Sequence, residues 1–255
     1  MINAIINGCG GKMGHVVARL AAEDSEINIS AGFDIAENTD CSFPVYTSAD
    51  DCKEKADVVI DFSHPDCIEG LLSYCKKNKI PAVICTTGLS NRQKNELEAA
   101  SETIPVFFSA NMSLGINLII SLAKQAVKLL EDSFDIEIVE KHHNQKIDAP
   151  SGTALAIADA ISEEMTKQTE YIYDRHTARR KRKPNEIGIH SVRGGTIVGE
   201  HSVIFAGNDE VIELKHSAAS KEVFAIGAIK AAKFLCGKKP GMYDMNDLIS
   251  SLELV

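Results

Sequence analysis

The stretch INAIINGCGGKMG, at residues 2–14, joins a short apolar run to a glycine-rich loop. The run from Ile2 to Asn7 predicts a buried strand, and the residues from Met13 to Ala22 have apolar positions at helical spacing. A strand, a glycine loop and a helix in this order form the turn on which a dinucleotide pyrophosphate meets a helix N-terminus. The match is incomplete, because the usual fingerprint has glycine where Met13 stands.

The alternation of apolar runs and amphipathic stretches continues to residue 108. Four further strands are predicted, at Ile27 to Phe33, Asp57 to Asp61, Pro81 to Cys85 and Ile104 to Phe108. Two further helices are predicted, at Cys67 to Lys77 and Asn91 to Ser101. Such alternation is typical of a parallel sheet with helices on both faces. We therefore predict an α/β fold whose first domain is a Rossmann-like, doubly wound parallel sheet.

After residue 113 the pattern changes. Helices are predicted at Leu114 to Leu130 and Leu155 to Met165, and strands at Asp135 to Glu140, Ile189 to Val198, His201 to Phe205 and Val211 to Lys215. These elements predict a second, α+β domain with an open mixed sheet of about four strands. A last helix, Lys221 to Leu235, is expected to pack back onto the first domain. We thus expect a dinucleotide-binding domain made of residues 1–113 and 224–255. Residues 114–223 are expected to form a substrate-binding and oligomerisation domain.

Composition narrows the class of protein. The chain has 255 residues, of which 44% are hydrophobic and 25% charged, as in ordinary globular proteins. Its net charge of −9 disfavours nucleic acid as a partner. The basic run RRKRK at 179–183 is either a solvated loop or an electrostatic funnel for an anionic ligand. No apolar run is long enough to span a membrane and no basic segment precedes the first apolar residues, so we expect a cytoplasmic protein without a membrane partner.

Seven cysteines without close metal-type or redox-type spacing predict free thiols.

Asp34 ends the second predicted strand about 20 residues beyond the glycine loop, where a carboxylate accepts hydrogen bonds from the adenosine ribose. The next residue, Ile35, is not basic, which favours NADH, while Lys12 leaves NADPH open. Two alternatives are a protein that senses a nucleotide without chemistry and a glycine turn that binds no ligand.

The stretch EKHHNQKIDAPSGTA, at residues 140–154, carries the chemistry. His142, His143 and Lys146 follow a predicted strand and supply proton donors on one short loop. Ser151 is the predicted N-cap of the next helix, whose first amides, at Gly152 and Thr153, suit a carboxylate. No metal site is expected, because adjacent loop histidines rarely ligate one ion and no cysteine or carboxylate completes a set. The residues predict a cationic, proton-donating pocket and leave the substrate unnamed.

This segment resembles the signature of the dihydrodipicolinate reductase family. Further stretches along the chain resemble the same family, namely the glycine loop, Cys85-Thr-Thr-Gly88, Ser109 to Gly115, Arg193-Gly-Gly, Gly199-Glu-His201, His216 and Phe224-Ala-Ile-Gly-Ala228. Two departures concern the cofactor contacts, since Lys12 replaces the usual arginine and Cys85 stands where glycine is common.

The resemblance implies roles for individual residues. His142 would be the catalytic proton donor and Lys146 the second donor, while His143, Gly152 and Thr153 would bind the carboxylates of the substrate. The implied cofactor contacts are Gly8, Cys9, Gly10, Gly11, Lys12, Met13, Asp34, Cys85, Thr86, Thr87, Ser109, Ala110, Asn111 and Met112.

The resemblance also implies the reaction. It is the NAD(P)H-dependent reduction of (2S,4S)-4-hydroxy-2,3,4,5-tetrahydrodipicolinate to tetrahydrodipicolinate with loss of water, in the diaminopimelate route to lysine. Closure of a hinge between the domains and a homotetramer assembled through the second domain's sheet are expected from it. The alternatives are another two-domain NAD(P)-dependent dehydrogenase, such as an aspartate or homoserine dehydrogenase relative, and the nucleotide-sensing protein. The first should lack the His-His and Ser-Gly-Thr arrangement, and the second should not oxidise the cofactor.

Overall fold

The computed structural model describes residues 1–36, 40–176 and 179–252. The chain divides into two compact units. Unit 1 comprises Met1–Leu114 and Glu222–Val255, and unit 2 comprises Gly115–Lys221.

Unit 1 is built on a seven-stranded sheet in which every pair of neighbouring strands is parallel. Its strands are β1 (Ile2–Asn7), β2 (Ile27–Phe33), β3 (Val45–Tyr46), β4 (Val58–Asp61), β5 (Ala82–Ile84), β6 (Pro105–Phe108) and β12 (Gly241–Tyr243). The order across the sheet is β12-β6-β5-β4-β1-β2-β3. The five predicted strands form the centre, and the two unpredicted ones, β3 and β12, are edge strands of two and three residues, too short for a readable pattern.

Helices cover both faces of this sheet. They are α1 (Lys12–Ala22), α2 (Ile68–Asn78), α3 (Asn91–Ser101), α6 (Glu222–Leu235) and α7 (Met245–Leu252). One core joins the sheet to α1, α6 and α7, with Val17 and Ala228 fully buried, and a second core joins it to α2 and α3, with Leu97 fully buried. Two cores on opposite faces confirm the predicted doubly wound fold.

The strand order reverses at β1. From β1 the chain adds β2 and β3 on one side, and β4, β5 and β6 on the other. In open parallel sheets a ligand crevice lies outside the carboxyl ends of the two strands at such a reversal. Here those strands are β1 and β4, so the loops that follow Asn7 and Asp61 meet at the expected binding edge.

Unit 2 has a five-stranded sheet, one strand more than the sequence predicted. Its elements are α4 (Leu114–Leu130), β7 (Asp135–His142), α5 (Gly152–Glu164), β8 (Glu170–Ile172), β9 (Glu186–Arg193), β10 (Gly199–Ala206) and β11 (Val211–Ala218). The order is β11-β10-β7-β9-β8, with antiparallel pairs at β11-β10-β7 and parallel pairs at β7-β9-β8. The sheet is therefore mixed, as predicted.

The two differences in this sheet have local causes. The extra strand β8 has three residues, too few for an alternating pattern. The prediction for β9, Ile189 to Val198, was wrong at both ends, because the strand begins at Glu186 and ends at Arg193. Gly195 has a φ of +49°, which turns the chain after β9, so the apolar residues that follow belong to a loop.

Strand β7 aims its alternate side chains at the core of unit 2. Ile136 and Ile138 pack there against residues of α4 and α5, including Val127. Glu140 and His142 continue the same alternation and are also buried. The strand thus delivers a carboxylate and an imidazole to the buried face at its carboxyl end.

The described chain contains no helix with the length and apolar character needed to cross a membrane. Within the same ranges, no group of three or more histidine, cysteine, aspartate or glutamate residues is arranged to hold a metal ion. The seven cysteines are free thiols; Cys9, Cys75 and Cys85 are buried and the other four are partly buried.

Candidate active site

The glycine loop of unit 1 leaves the N-terminus of α1 open. Gly11 is the N-cap, and no side chain caps the first amides of the helix. Gly8 has a φ of +80°, and a Cβ there would lie 2.7 Å from the backbone oxygen of Phe62. A Cβ at Gly14 would lie 2.3 Å from the oxygen of Gly8. The tight turn therefore needs glycine at both positions, and the helix that follows it presents the amides of its first turn and the positive end of its dipole to an anion.

A cavity of about 480 Å³ lies beside this loop at the carboxyl ends of β1 and β4. Its walls combine the glycine loop, the end of β2 and the segment after β4. The lining residues include Gly8, Gly10, Gly11, Asp34, Ile35, Phe62, Ser63 and His64. An elongated ligand with a phosphate at the helix N-terminus and a ribose near Asp34 matches these walls.

Asp34 is tied to the glycine loop, because its Oδ2 accepts a hydrogen bond of 2.9 Å from the Gly10 amide. Its Oδ1 accepts a bond of 3.2 Å from the Ala36 amide. Each carboxylate oxygen keeps a further lone pair for a ribose hydroxyl. Among the described residues that line the cavity there is no lysine or arginine.

Asp61 is a residue of this region that the sequence analysis missed. It is fully buried at the end of β4 and accepts hydrogen bonds from Asn7 Nδ2 (2.7 Å), Ser63 Oγ (2.6 Å) and Thr86 Oγ1 (2.6 Å). Burial raises the pKa of Asp61, and the bonds from Ser63, Thr86 and Asn7 oppose that rise. The cluster holds together the loops that follow β1, β4 and β5. An aspartate that ends the buried run VVID was the only hint in the sequence.

The predicted cofactor residues divide into two groups. Gly8, Gly10, Gly11 and Asp34 line the cavity together. The others do not line it. They are Cys9, Lys12, Met13, Cys85, Thr86, Thr87, Ser109, Ala110, Asn111 and Met112.

The side chains of Cys9, Cys85 and Met112 are buried in the core of unit 1, so only their backbone atoms are available to a ligand. Lys12 and Thr87 are exposed. Ser109 donates to the Asn111 carbonyl at 2.9 Å and so stays within its own loop.

In unit 2, the segment from residue 140 to 154 runs from β7 into α5. A cis peptide joins Ala149 to Pro150, just before the helix. Ser151 is the N-cap, and its Oγ accepts a bond of 3.2 Å from the Ala154 amide, as predicted. The same Oγ lies 3.0 Å from Nε2 of His201 on β10. The helix N-terminus is therefore fixed against the sheet.

Glu140 lies at the centre of this arrangement and is fully buried. Arg193 donates to both of its oxygens, from Nη1 to Oε2 at 2.8 Å and from Nη2 to Oε1 at 2.7 Å. Burial alone would raise the pKa of Glu140, but the hydrogen bonds from Arg193, His142 and the Ser151 amide bring it to about 2. The side chain is therefore a carboxylate at neutral pH.

His142 is bound to Glu140, with 2.6 Å between Nδ1 and Oε2. Its ring meets the ring of His201 edge to face, with 5.2 Å between centroids. Burial, together with the neighbouring charge of His142, lowers the pKa of His201 to about 4, so His201 is neutral at pH 7. The Lys146 ammonium contributes to the same lowering, which brings His142 and Lys146 into one electrostatic environment.

The remaining predicted site residues of unit 2 follow His142 along the chain. Lys146 is paired with Asp148 at 2.9 Å between Nζ and Oδ1, and its hydrogen bond lowers the pKa of that carboxyl. His143 is half-buried, Gly152 is exposed and Thr153 is half-buried in the first turn of α5. The Gly152 and Thr153 amides belong to that turn, where an anion is stabilised.

The basic run at 179–183 is largely engaged in ion pairs. Arg180 binds Glu186, Arg182 binds Asp135 at 2.8 Å between Nη1 and Oδ1, and Lys183 binds Glu170 at 2.9 Å between Nζ and Oε2. Arg180 and Lys183 stay exposed while they form these pairs, as in a solvated loop, whereas Arg182 is half-buried. They join the loop before β9 to the strands of the sheet.

Three residues beside the histidines had no predicted role, namely Glu140, Arg193 and His201. Each stands in a stretch that resembles the family. Their contacts join residues up to 53 positions apart, and no local pattern reports such pairs.

Comparison with known proteins covers both units. The family model described as dihydrodipicolinate reductase, N-terminus, matches residues 2–112, and the one described as dihydrodipicolinate reductase, C-terminus, matches residues 115–249. A 4-hydroxy-tetrahydrodipicolinate reductase of Caldanaerobacter subterraneus is 61% identical over 250 residues, and one of Clostridium tetani is 50% identical over 251 residues. Both alignments cover 98% of this chain and 98% of the relative.

A solved structure is similar throughout. It is a dipicolinate-bound dihydrodipicolinate reductase from Paenisporosarcina sp. TG-14, with a TM-score of 0.84 and 25% sequence identity. The similarity covers 96% of this chain and 99% of the other.

Proposed function

The chain belongs to the dihydrodipicolinate reductase family, and on that premise we propose how its residues carry out the reduction of 4-hydroxy-tetrahydrodipicolinate. The substrate takes up a hydride and a proton, its hydroxyl group leaves as water, and tetrahydrodipicolinate is formed. The enzyme is an oxidoreductase that uses a nicotinamide cofactor, which supplies the hydride when bound. Protein groups must supply the proton and hold a small dicarboxylate.

His142 and Lys146 are the proposed proton donors. Both are partly shielded, with side-chain exposures of 11% and 22%. Both lie in the environment that keeps His201 neutral. The single observation that carries this assignment is the contact of the His142 ring with the buried Glu140 carboxylate, at 2.6 Å. A histidine held in one orientation beside a carboxylate is suited to proton transfer.

His143, Gly152 and Thr153 are the proposed partners of the substrate carboxylates. Gly152 is exposed, and a Cβ there would meet nothing within 4 Å, which leaves room at the start of α5. The amides of the first helical turn carry partial positive charge, and the Gly152 amide stabilises the Asp148 carboxylate by a hydrogen bond. Both proton donors precede this helix start within the same segment, residues 140–154.

We also propose that NADH is preferred to NADPH. Asp34 would accept hydrogen bonds from the adenosine ribose, and its negative charge would repel a 2′-phosphate. The described lining of the cavity offers no lysine or arginine to neutralise that phosphate. The open N-terminus of α1 would take the pyrophosphate, and the cofactor must come within hydride-transfer distance of the substrate bound to unit 2.

We also propose that the protein forms a homotetramer. It would carry out this step of amino-acid biosynthesis in the cytoplasm. Val192, Val211 and Ile212, on strands of the unit 2 sheet, are 43%, 65% and 39% exposed. Contact between copies of this sheet would cover such apolar side chains. Sedimentation should then give four times the 27.6 kDa mass of the chain, and a monomer at micromolar concentration would contradict this part.

The reaction is tested with the freshly prepared condensation product of pyruvate and aspartate semialdehyde. Oxidation of the reduced cofactor is followed by absorbance, with NADH and NADPH compared at equal concentrations. We expect turnover with both and a higher kcat/KM with NADH. An absence of oxidation with either cofactor would contradict the function, and a strong NADPH preference would contradict the role of Asp34.

The proton donors are tested by His142→Gln and Lys146→Ala. Each should lower kcat by about 100-fold or more, while the fold and the affinity for NADH stay unchanged, because general acid catalysis is worth about 10²–10⁴-fold. His190→Gln and Lys141→Ala are matched controls, since these side chains are bound to Glu137 and Glu200. A variant of His142 or Lys146 with near-normal turnover would remove that residue from its role.

A further inference from the structure

Glu140 occupies a position that the alternation of β7 assigns to the apolar core. Its neighbours on the same face, Ile136 and Ile138, are buried aliphatic residues. A carboxylate placed there loses its hydration, which costs several kcal/mol unless protein donors replace the water. A buried charge in such a position therefore calls for a reason other than packing.

The donors around Glu140 are arranged asymmetrically. Oε1 accepts from Arg193 Nη2 and from the Ser151 amide at 3.1 Å. Oε2 accepts from Arg193 Nη1 and faces Nδ1 of His142. Arg193 is itself held, because Nη2 also donates to the Asp148 carbonyl at 2.6 Å. The Ser191 side chain also forms a hydrogen bond with this carboxylate. The carboxylate is thus held by Arg193, Ser151 and Ser191 and keeps Oε2 in contact with the imidazole.

An ionised carboxylate can only accept hydrogen bonds. The His142 nitrogen that faces it must therefore carry the proton. Nδ1 is the donor to Glu140 in both the neutral and the cationic ring, and Nε2 is the nitrogen whose proton can be exchanged. Glu140 determines which nitrogen of His142 is available for chemistry.

Gly199 lies on the other side of the ring. A Cβ at Gly199 would be 3.1 Å from Nε2 of His142 and 3.4 Å from its Cδ2, closer than side chains normally approach. Its φ lies outside the left-handed range, so the backbone does not require glycine there. The missing side chain leaves space at Nε2.

We propose that Glu140 is the positioning residue of the reaction, holding His142 by Nδ1 so that Nε2 faces the space left by Gly199 and transfers the proton there. The inference rests on the proposed function of His142 as proton donor. Arg193 and the Ser151 amide keep Glu140 ionised and immobile, and the Ser151 contact links this orientation to the helix start that would bind the substrate carboxylate. The charge of the doubly protonated ring lies beside a carboxylate throughout the transfer.

The first test is Glu140→Gln. Glutamine keeps one acceptor oxygen and replaces the other by a donating NH₂ group. In one orientation this group faces the N–H donors of Arg193 and Ser151, and in the other it faces Arg193 and the N–H of His142. We expect kcat to fall by at least about 10-fold with KM and NADH affinity changed little, since a loss of orientation affects proton transfer and leaves the carboxylate contacts in place. Glu140→Asp, which keeps the charge, should recover part of the lost turnover.

Glu186→Gln is the matched control. Glu186 is also a fully buried carboxylate of unit 2, bound to two arginines, and its pKa is also about 2, but it has no contact with His142. If Glu140 had only a structural role, both variants would lose stability and neither would lose turnover. The inference requires a loss of turnover in Glu140→Gln alone.

The second test leaves Glu140 untouched. Gly199→Ala places a methyl group against Nε2, and we expect kcat to fall by at least about 10-fold while the melting temperature stays close to that of the wild type. The imidazole nitrogen NMR resonances of the wild type, assigned with the His142→Gln variant, should show His142 protonated at Nδ1. In Glu140→Gln this preference should be lost.

The outcomes separate the two proposals. If the wild type does not reduce the condensation product, the function fails, while the tautomer of His142 still tests the geometry. If the wild type is active and His142→Gln is not, but Gly199→Ala retains full turnover or His142 is protonated at Nε2, the positioning role is overturned and the function stands. Should Glu140→Gln not fold, Gly199→Ala and the wild-type resonances decide the question.

Discussion

Asp34 and Ile35 illustrate how two adjacent side chains set the chemistry of a cavity wall. Asp34 holds the glycine loop through the Gly10 amide and leaves lone pairs for a ligand, while Ile35 is 91% exposed at the same wall. An acidic residue followed by an apolar one provides hydrogen-bond acceptors and no cation. The proposed preference for NADH therefore rests on very few atoms.

The double variant Asp34→Ser with Ile35→Arg should shift the preference towards NADPH. A guanidinium at position 35 can bind the 2′-phosphate, and a charged hydrogen bond contributes about 1.5–3 kcal/mol, which corresponds to about 10–140-fold in the ratio of kcat/KM for NADPH to that for NADH. The neutral pair Asp34→Ser with Ile35→Gln is the control for the added charge. Equal ratios in the two double variants would show that Asp34 and Ile35 do not face the ribose.

At the scale of elements, helix α6 depends on a glycine for its close approach to the rest of unit 1. A Cβ at Gly227 would lie 1.7 Å from the backbone oxygen of Met112. The helix is otherwise rich in small and apolar residues, and Ala225, Ala228, Ala231 and Ala232 are fully buried. Small side chains allow the helix backbone to pack directly against the segment after β6.

Gly227→Ala should therefore lower the free energy of unfolding by at least about 2 kcal/mol, because the backbone of Met112 cannot move aside without disturbing the core. Gly70, in α2, offers the opposite case, since a Cβ there would meet nothing within 4 Å. Gly70→Ala, in the first turn of that helix, should raise the free energy of unfolding by up to about 0.5–1 kcal/mol, the gain of alanine over glycine in a helix. Urea unfolding without cofactor measures both, and similar stabilities for the two variants would contradict the packing of α6.

Long elements were predictable from the sequence and short ones were not. β1, β2, α3 and α4 have the bounds that their apolar periodicity predicts. β3, β8 and β12 have two or three residues each, and they are strands only because a longer neighbour supplies hydrogen bonds. Their existence depends on the partner strand, which a local pattern does not contain.

At the scale of the whole molecule, acidic residues stabilise unit 2 at neutral pH. Burial alone would raise the pKa of Glu186, but the hydrogen bonds from Arg175 and Arg180 bring it to about 2, as happens for Glu140. The pKa of a glutamate in the unfolded chain is about 4.3. A carboxylate with a lowered pKa stabilises the fold above its unfolded value, and this contribution is lost as the pH falls towards 2.

We expect the free energy of unfolding of the whole chain to decrease as the pH falls below about 4.3. Glu186→Gln should be less stable than the wild type at pH 7, because two arginines lose their partner, and its stability should fall less steeply in acid. Glu98→Gln, on an exposed part of α3, serves as the control. Parallel pH profiles for the wild type and Glu186→Gln, measured by urea unfolding, would contradict the lowered pKa.

The sequence by itself determined the doubly wound sheet, the glycine loop between its first strand and first helix, the Ser151 helix cap and the membership of the family. These features depend on periodicity and on residues that are close along the chain. Only the tertiary structure revealed the Asp61 cluster, the ion pairs of the basic run and the contacts of Glu140. Arg193 reaches Glu140 across 53 positions because β7 and β9 are adjacent in the sheet. Hydrogen-bond partners that meet through strand pairing leave no local pattern, and for that reason the orientation of His142 could not be inferred before the sheet was known.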